Sequence, residues 1–461
     1  MKRPPAYLLL LLLFAVVISV ASTGGNDYLH RLWISTRQPR DVNIILIVVD
    51  ALRADHLSCY GYSQQTSPHI DELAKKGTLF EHTFAPLPMT DPSFATLFTS
   101  LYPQSHGITH NSYALSPRAE TIAEIFQHHG WQTAAFAGAA NLDSVFNLDQ
   151  GFQLYDDDLG RQVNPHIKNT FTMKPWERRA EEMNRLVFDY LDHKRKPGKF
   201  FLMIHYYDPH KPYHPPGVVV QETSSEDEQS ENASLYDGEI SYTDQEIGLL
   251  WKKLEAMNLT RNTLMIITGD HGEALGEHGW QGHRWQIYDE AMHIPMIFIG
   301  PDIPAGRRYA GLMMNIDVAP TLMEYLNLPR PRYYQGYSFL PALHSDGKLR
   351  DLVLMQKASP PDQRKYERTW RRFPIVQWGV RTETEKFIWS SDKNHQFYDL
   401  VKDPGEHTNL FQTEHARAMA LFEKGFQYKT KFPAMHLAIP PTRKSGDNDP
   451  TELLKALGYL N

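Results

Sequence analysis

Continuous apolar runs of strand length alternate along this chain with stretches of helical period. Ile44–Val49 (IILIVV), Phe200–Ile204 (FFLMI), Leu264–Thr268 (LMIIT) and Pro295–Ile299 (PMIFI) are such runs, and Thr133–Ala137 (TAAFA) is a weaker one. They lack polar alternation, which marks strands buried on both faces. Ile70–Lys76, Thr121–His129, Trp176–Lys194 and Asp244–Met257 carry helical patterns between them. This order predicts an α/β fold, a mostly parallel sheet sandwiched by helices. Beyond about residue 350 the pattern changes. Val376–Arg381, Lys386–Ser390 and Gln396–Leu400 read as short antiparallel strands, followed by amphipathic helices over Ala416–Phe426 and Thr451–Leu460. The expected organisation is a targeting segment over 1–21, a main domain over 40–345 and a smaller α+β subdomain with an antiparallel sheet over 350–461. Ser224–Ser234 (SSEDEQSENAS) reads as a solvated, mobile loop.

Lys2 and Arg3 precede an apolar run from Tyr7 to Ala21, and Ser19 and Ala21 supply the small residues of a cleavage site. The segment is a signal peptide ending at Ala21 or an uncleaved signal anchor. No cysteine follows it, which excludes a lipoprotein anchor. The chain is therefore expected to be exported, to the periplasm or the medium, touching membrane only through this segment if it stays uncleaved. Hydrophobic residues make up 41% of the 461, enough for a large core. A net charge of -7 gives no support for a nucleic-acid partner. The single cysteine, Cys59, permits no intrachain disulfide and reads as a small packing residue.

In parallel sheets, sites form at the carboxyl ends of strands. IILIVV runs into Asp50, LMIIT into Gly269-Asp270-His271-Gly272-Glu273, and FFLMI into His205-Tyr206-Tyr207-Asp208-Pro209-His210. Acids and histidines on one rim suit a single divalent cation with mixed oxygen and nitrogen ligands. Mn²⁺ and Zn²⁺ are favoured; Ca²⁺ and Mg²⁺ are admitted. Met89–Gly107 (MTDPSFATLFTSLYPQSHG) reads as a helix start, with Asp91 as cap, Pro92 in the first turn, and Phe94, Leu97, Phe98 and Leu101 on one face. Thr90 precedes that cap, where helix N–H groups favour an anion. A metal beside it would lower its hydroxyl pKa and aim it. Nearby histidines would contact the anion and protonate the leaving oxygen.

Asn43–Tyr62 (NIILIVVDALRADHLSCYGY), the Thr90 helix, His205–Tyr213 (HYYDPHKPY), Tyr236–Asp244 (YDGEISYTD), Thr268–Gly279 (TGDHGEALGEHG) and Phe397–Leu410 (FYDLVKDPGEHTNL) occur in one order. Together they resemble the sulfatase family of the alkaline phosphatase superfamily. The resemblance implies an alkaline-phosphatase-like fold and one divalent ion on Asp50, Thr90, Asp270 and His271. It implies Thr90 as nucleophile, and His210 and His283 (in QGHRW) against the transferred group. His205 and Asp208 share the His210 motif and are further candidates, catalytic or supporting.

Three departures matter. Sulfatases carry Cys or Ser followed by x-Pro-x-Arg and convert that first residue to formylglycine; here Thr90 and Phe94 hold the two places. Ala51 and His271 stand where many sulfatases have a carboxylate and an asparagine. These features resemble the phosphotransferase branch, which includes phosphoethanolamine and phosphoglycerol transferases. The first reading is therefore a metal-dependent hydrolase or transferase of phosphate mono- or diesters acting through Thr90. The second is a sulfate-ester hydrolase without formylglycine. The third, a non-catalytic binding protein, is opposed by the joint presence of Asp50, Thr90, Asp270, His271, His210 and His283. The substrate would be a small-molecule, lipid-headgroup or glycan ester.

Overall fold

A computed structural model describes residues 38–111, 113–159, 177–217, 228–358, 375–435 and 437–441. The targeting segment expected over 1–21 and the helix expected over Thr451–Leu460 lie outside the described residues. Among the described residues, no helix is long and apolar enough to cross a membrane.

The central sheet has nine strands: β1 (Asn43–Val49), β2 (Thr78–Phe84), β3 (Gln132–Phe136), β4 (Leu154–Asp156), β5 (Phe200–Tyr206), β6 (Thr263–Gly269), β7 (His293–Ile294), β8 (Met296–Ile299) and β9 (Arg307–Met314). Their order is β2-β8-β6-β1-β5-β3-β4, with β7 also on β2 and β9 joining β2. Pairs β6-β1, β1-β5, β5-β3, β3-β4 and β9-β2 are parallel. Only β7 and β8 run antiparallel to their neighbours. The apolar run at Pro295–Ile299 is thus a strand of opposite direction. The segment after β6 contains no long crossover helix, so the chain re-enters from the rim it left, Met296 opposite Thr268.

Helices α1 (Pro68–Lys75), α2 (Thr90–Thr99), α3 (Ile122–His128), α4 (Ala180–Asp189), α5 (Glu228–Ala256) and α6 (Val318–Tyr325) cover both faces. Strand β1 shows why its sequence has no polar position after Asn43. Ile44, Leu46 and Val48 enter the cluster beneath α2, α3 and α6, while Ile45, Ile47 and Val49 enter the cluster beneath α1, α4 and α5. Cys59 packs at the edge of the second cluster, where burial and then Asp71 push its thiol upward, away from the reactive thiolate.

The loop expected over Ser224–Ser234 is corrected in part. From Glu228 onward this stretch is the first turns of the 29-residue α5. The helix meets the core mainly through Leu235, Tyr236, Ile240, Ile247, Leu250 and Leu254, so its first turn tolerates polar residues. Acidic side chains there also suit a helix N-terminus. Helix α5 in turn holds the exit of β1. Tyr236 Oη donates to the Ala51 carbonyl at 2.7 Å and accepts from the Arg53 N–H at 2.9 Å. Asp244 accepts the His69 and Ile70 N–H groups at 3.0 and 2.7 Å, which satisfies the start of α1.

The C-terminal part is a four-stranded antiparallel sheet, β10 (Val353–Gln356), β11 (Gln377–Arg381), β12 (Glu385–Ser390) and β13 (Gln396–Asp399), packed against helix α7 (His415–Lys429). It shares one apolar cluster with the main sheet, joining Phe84, Ile287 and Met314 to Val353, Phe387 and Leu421. The fully buried Lys386 ammonium crosses this junction, 2.8 Å from Asp289 and 2.9 Å from Glu406. Glu406, from the FYDLVKDPGEHTNL motif, also accepts the Asp289 N–H at 2.6 Å. The C-terminal motif therefore braces the segment that carries His283.

Candidate active site

The register of the central strands puts the acids side by side. Val49 pairs with Gly269 on β6 and with Tyr206 on β5, so the chain leaves all three strands at one level. Ala51 turns the chain through a left-handed conformation at φ 55°. Its N–H and that of His271 both donate to Asp270 Oδ1, at 3.1 and 2.8 Å. Asp270 Oδ2 is left without a hydrogen-bond partner, as are Asp50 Oδ1 and His271 Nε2. These three atoms converge: His271 Nε2 lies 3.6 Å from Asp50 Oδ1 and 3.5 Å from Asp270 Oδ2. His271 Nδ1 faces the Gly272 carbonyl at 2.9 Å and must donate to it, so the lone pair sits on Nε2.

The other Asp50 oxygen has occupants. Thr90 Oγ1 donates to Asp50 Oδ2 at 3.5 Å, and His205 Nε2 lies 3.2 Å from the same atom. His205 Nδ1 accepts the Gly138 N–H at 3.3 Å, which leaves the proton on Nε2 for Asp50. His205 thus orients a carboxylate, and burial pushes its pKa down to about 4, so it does so neutral.

Electrostatics point the same way. Asp50, Thr90 and His271 are fully buried. Burial, then repulsion from Asp270, holds the Asp50 carboxyl well above its usual range. Burial pulls His271 down, but Asp270 and Asp50 outweigh it and raise it. Among the described residues, no Lys or Arg forms an ion pair with Asp50 or Asp270, which pair only with His205 and His271. A divalent ion would supply that cationic charge and the missing partners together. Two carboxylate oxygens, an imidazole nitrogen and a hydroxyl fit such an ion.

Helix α2 begins at Thr90 itself, with the extended Met89 in the cap position, rather than after an Asp91 cap. Asp91 lies inside the first turn, where its helical backbone cannot serve as a cap. Its N–H goes to Asn111 Oδ1 at 3.1 Å, while its buried carboxylate makes no hydrogen bond. Ser93 Oγ ties the helix to the Asp270 carbonyl at 2.6 Å. All ten residues of α2 are buried, and Phe94 packs edge-on against His205 with ring centres 5.2 Å apart.

His210 and His283 also reach the rim. The His283 ring centre is 4.2 Å from that of His271 and 5.0 Å from that of His210. Burial first, then neighbouring cationic groups, pushes His210 down to about 3 and His283 well below the ordinary imidazole range. Asp208 turns elsewhere: it pairs with Arg179 Nε at 3.1 Å, and burial pushes it up to about 7. Sequence reasoning passed over Glu273, whose buried carboxylate lies 3.5 Å from His283 Nδ1. Its position in TGDHGE, directly after the metal motif, was the available signal.

Residues 42–328 match the family model described as Sulfatase, more than half of the chain. The chain belongs to the sulfatase family. Residues 276–425 match a second model, N-sulphoglucosamine sulphohydrolase, C-terminal. An arylsulfatase of Clostridium perfringens is 24% identical, over 90% of this chain and 98% of its own length. A protein solved in complex with its substrate D-glucosamine-2-N,6-O-disulfate superposes with a TM-score of 0.68 at 21% identity, covering 86% of this chain and 99% of that one. The phosphonate monoester hydrolase of Agrobacterium radiobacter gives 0.68 at 20% identity, covering 87% and 100%. The alkaline-phosphatase-like fold expected from the motifs is the fold of these relatives. The chain is an enzyme of sulfatase-like ester hydrolase type, which removes the binding-protein reading. Its sulfatase relatives favour sulfate esters, the reading that the sequence ranked second, over phosphate esters.

Proposed function

We propose that this protein is a metal-dependent hydrolase of sulfate esters, acting on a small-molecule or glycan substrate. The observation that carries the reading is the convergence of Asp50 Oδ1, Asp270 Oδ2 and His271 Nε2, all buried and without hydrogen-bond partners, beside Thr90. These residues would hold a divalent ion, Zn²⁺ or Mn²⁺ by donor type, which supplies Lewis-acid polarisation of the ester and a lowered hydroxyl pKa. Asp50 Oδ2 accepts the Thr90 hydroxyl proton and so fixes which way its lone pairs face. His205 holds that carboxylate in place. His210 and His283 are neutral before substrate arrives; an incoming anion is the charge that would raise them and let them donate to its oxygens. In this reading water would attack the sulfur, the ester S–O bond would break and one water proton would pass to the departing oxygen. The products would be hydrogen sulfate and the free alcohol, while Thr90 would serve as a ligand.

A second reading, phosphate mono- or diester cleavage through a covalent phospho-threonine, rests on Thr90 itself. A hydrated formylglycine has a second hydroxyl that expels sulfate from the covalent intermediate, and threonine has none. A phospho-threonine is open to attack by water or an acceptor alcohol. Sulfate esters, phosphate monoesters and phosphate diesters should be assayed in parallel, followed by acid trapping and peptide mass spectrometry. The sulfate reading expects turnover of sulfate esters and no label on Thr90. Turnover confined to phosphate esters, with label on Met89–Leu101, would replace it by the second reading.

The proposal includes export, on the basic start and apolar run of residues 2–21. N-terminal sequencing of the secreted protein should begin at Ser22. An intact Met1 in the membrane fraction would instead show an uncleaved anchor, and intact Met1 in the cytosol would remove the proposal.

A further inference from the structure

Between α7 and the segments that precede the C-terminal sheet lies a cleft of about 360 Å³. That volume is in the range of small-ligand sites. Lys424, Gln427, Tyr428 and Lys431 line it from α7 and the turn after it. Their spacing of three, four and seven residues puts them on one helix face. Tyr337 and Arg350 join them from the segments before the C-terminal sheet.

The parts of this cleft are already held in place. The buried Arg350 guanidinium pairs with Asp317 and donates to Tyr102 Oη at 3.4 Å. It lies 5.1 Å from the centre of the Tyr337 ring. Asp317 Oδ1 also accepts the Tyr337 N–H at 2.8 Å, which ties the backbone of that tyrosine to the same pair. Tyr428 Oη donates to Tyr337 Oη at 3.3 Å, and Lys431 Nζ sits 5.3 Å from the Tyr428 ring centre. Tyr337 nevertheless keeps 39% of its surface exposed. A ligand would meet rings and cations that need little further ordering.

Charge narrows what that ligand is. Asp317 neutralises Arg350, so the cleft's free charge comes from its lysines. Among the described residues, Lys424 and Lys431 form no ion pair, and Asp351 is the one carboxylate lining the cleft. This local surplus of positive charge stands on a chain whose net charge is -7. Free ammonium groups attract anions, and a tyrosine offers an apolar ring face together with a polar tip. A sulfated saccharide meets both, with its anionic groups for the lysines and its C–H faces and hydroxyls for the tyrosines.

The cleft is separate from the catalytic rim. The Gln335 N–H donates to the Ser100 carbonyl at 2.8 Å, so the Tyr337 segment packs at the far end of α2 from Thr90. Ten helical residues span about 15 Å. A group seated here does not touch the atoms around Asp50.

We propose that the cleft of Tyr337, Arg350, Lys424, Tyr428 and Lys431 is a second saccharide site, which anchors an anionic, sulfated stretch of a polymeric glycan away from the catalytic centre. The choice of ligand rests on the function proposed above, and it makes that substrate a polymer.

The test is binding of heparin, a sulfated polysaccharide, to the full-length protein by calorimetry at low and high salt. Desulfated heparin and turnover of a small aryl sulfate are measured beside it. The double variant Lys424→Gln/Lys431→Gln should bind heparin about tenfold more weakly at low salt and show a shallower salt dependence, because fewer counterions are released from the polyanion. Tyr337→Ala should also bind more weakly. The control Lys196→Gln/Lys252→Gln, an equal charge change at two exposed lysines elsewhere, should bind as wild type does. All of these variants should turn over the aryl sulfate at the wild-type rate. Heparin affinity unchanged in the Lys424/Lys431 variant, or equally weakened in the control, would overturn the proposal. So would equal affinity for desulfated heparin, or binding that only Asp270→Asn abolishes. Heparin binding that depends on Lys424 and Lys431 in a protein that turns over no sulfate ester would uphold this site and overturn the catalytic reading instead.

Discussion

Thr90→Ala is expected to lower turnover by several orders of magnitude while the protein stays folded. Thr90 Oγ1 is fully buried beside Asp50 Oδ2 and opens onto the atoms that would hold the ion. The substitution removes a ligand in the sulfate reading, and both a ligand and the nucleophile in the phosphate reading. Stability cannot account for such a loss. The cap position of α2 is Met89, and its carbonyl accepts the Ser93 N–H at 3.1 Å, so the helix start does not depend on the Thr90 side chain. Losing the long Thr90 to Asp50 hydrogen bond should cost about 1 kcal/mol or less. Thr90→Ser keeps the hydroxyl and should retain partial activity. Steady-state kinetics beside denaturant unfolding check both halves; a fully active Thr90→Ala enzyme would place the chemistry elsewhere.

Asp270→Asn should abolish binding of the divalent ion and turnover. The asparagine oxygen can still accept the Ala51 and His271 N–H groups that now converge on Asp270 Oδ1. It then presents an NH₂ group where Oδ2 faces the ion, so coordination fails while the turn survives. The sign of the stability change without metal is also fixed. Repulsion from Asp270 helps hold Asp50 well above its usual range, and the variant removes that repulsion. Metal-free Asp270→Asn should therefore be no less stable than metal-free wild type. Added metal should stabilise wild type more strongly than the variant, because an ion that binds only the folded chain shifts unfolding by mass action. Elemental analysis and thermal unfolding with and without chelator read these outcomes. Equal metal in both proteins would remove the site assignment.

The parallel core and the rim chemistry were legible along the chain for a local reason. A strand buried on both faces must be apolar along its length, as β1 is from Ile44 to Val49, and the first polar residue after it marks the rim. Asp50, Asp270 and His271 each follow such a run directly, so their meeting needed only a parallel register. Where local pattern was ambiguous, tertiary contacts decided. Asp91 has the chemistry of a cap, yet the chain enters α2 one residue before Thr90 because that helix is buried along its whole length. The polar start of α5 looked like a loop because its packing against the core begins at Ala233 and Leu235. Strand β8 looked like its parallel neighbours, since apolar composition carries no direction; the missing crossover made it antiparallel. His210 and Asp208 are two residues apart in sequence, yet one turns toward Glu273 and His283 and the other toward Arg179. The sequence by itself determined which strands are buried and which side chains reach their ends, because those depend on short-range pattern. Only the tertiary structure decided which of those side chains share one desolvated space, because that depends on segments far apart in the chain packing against one another.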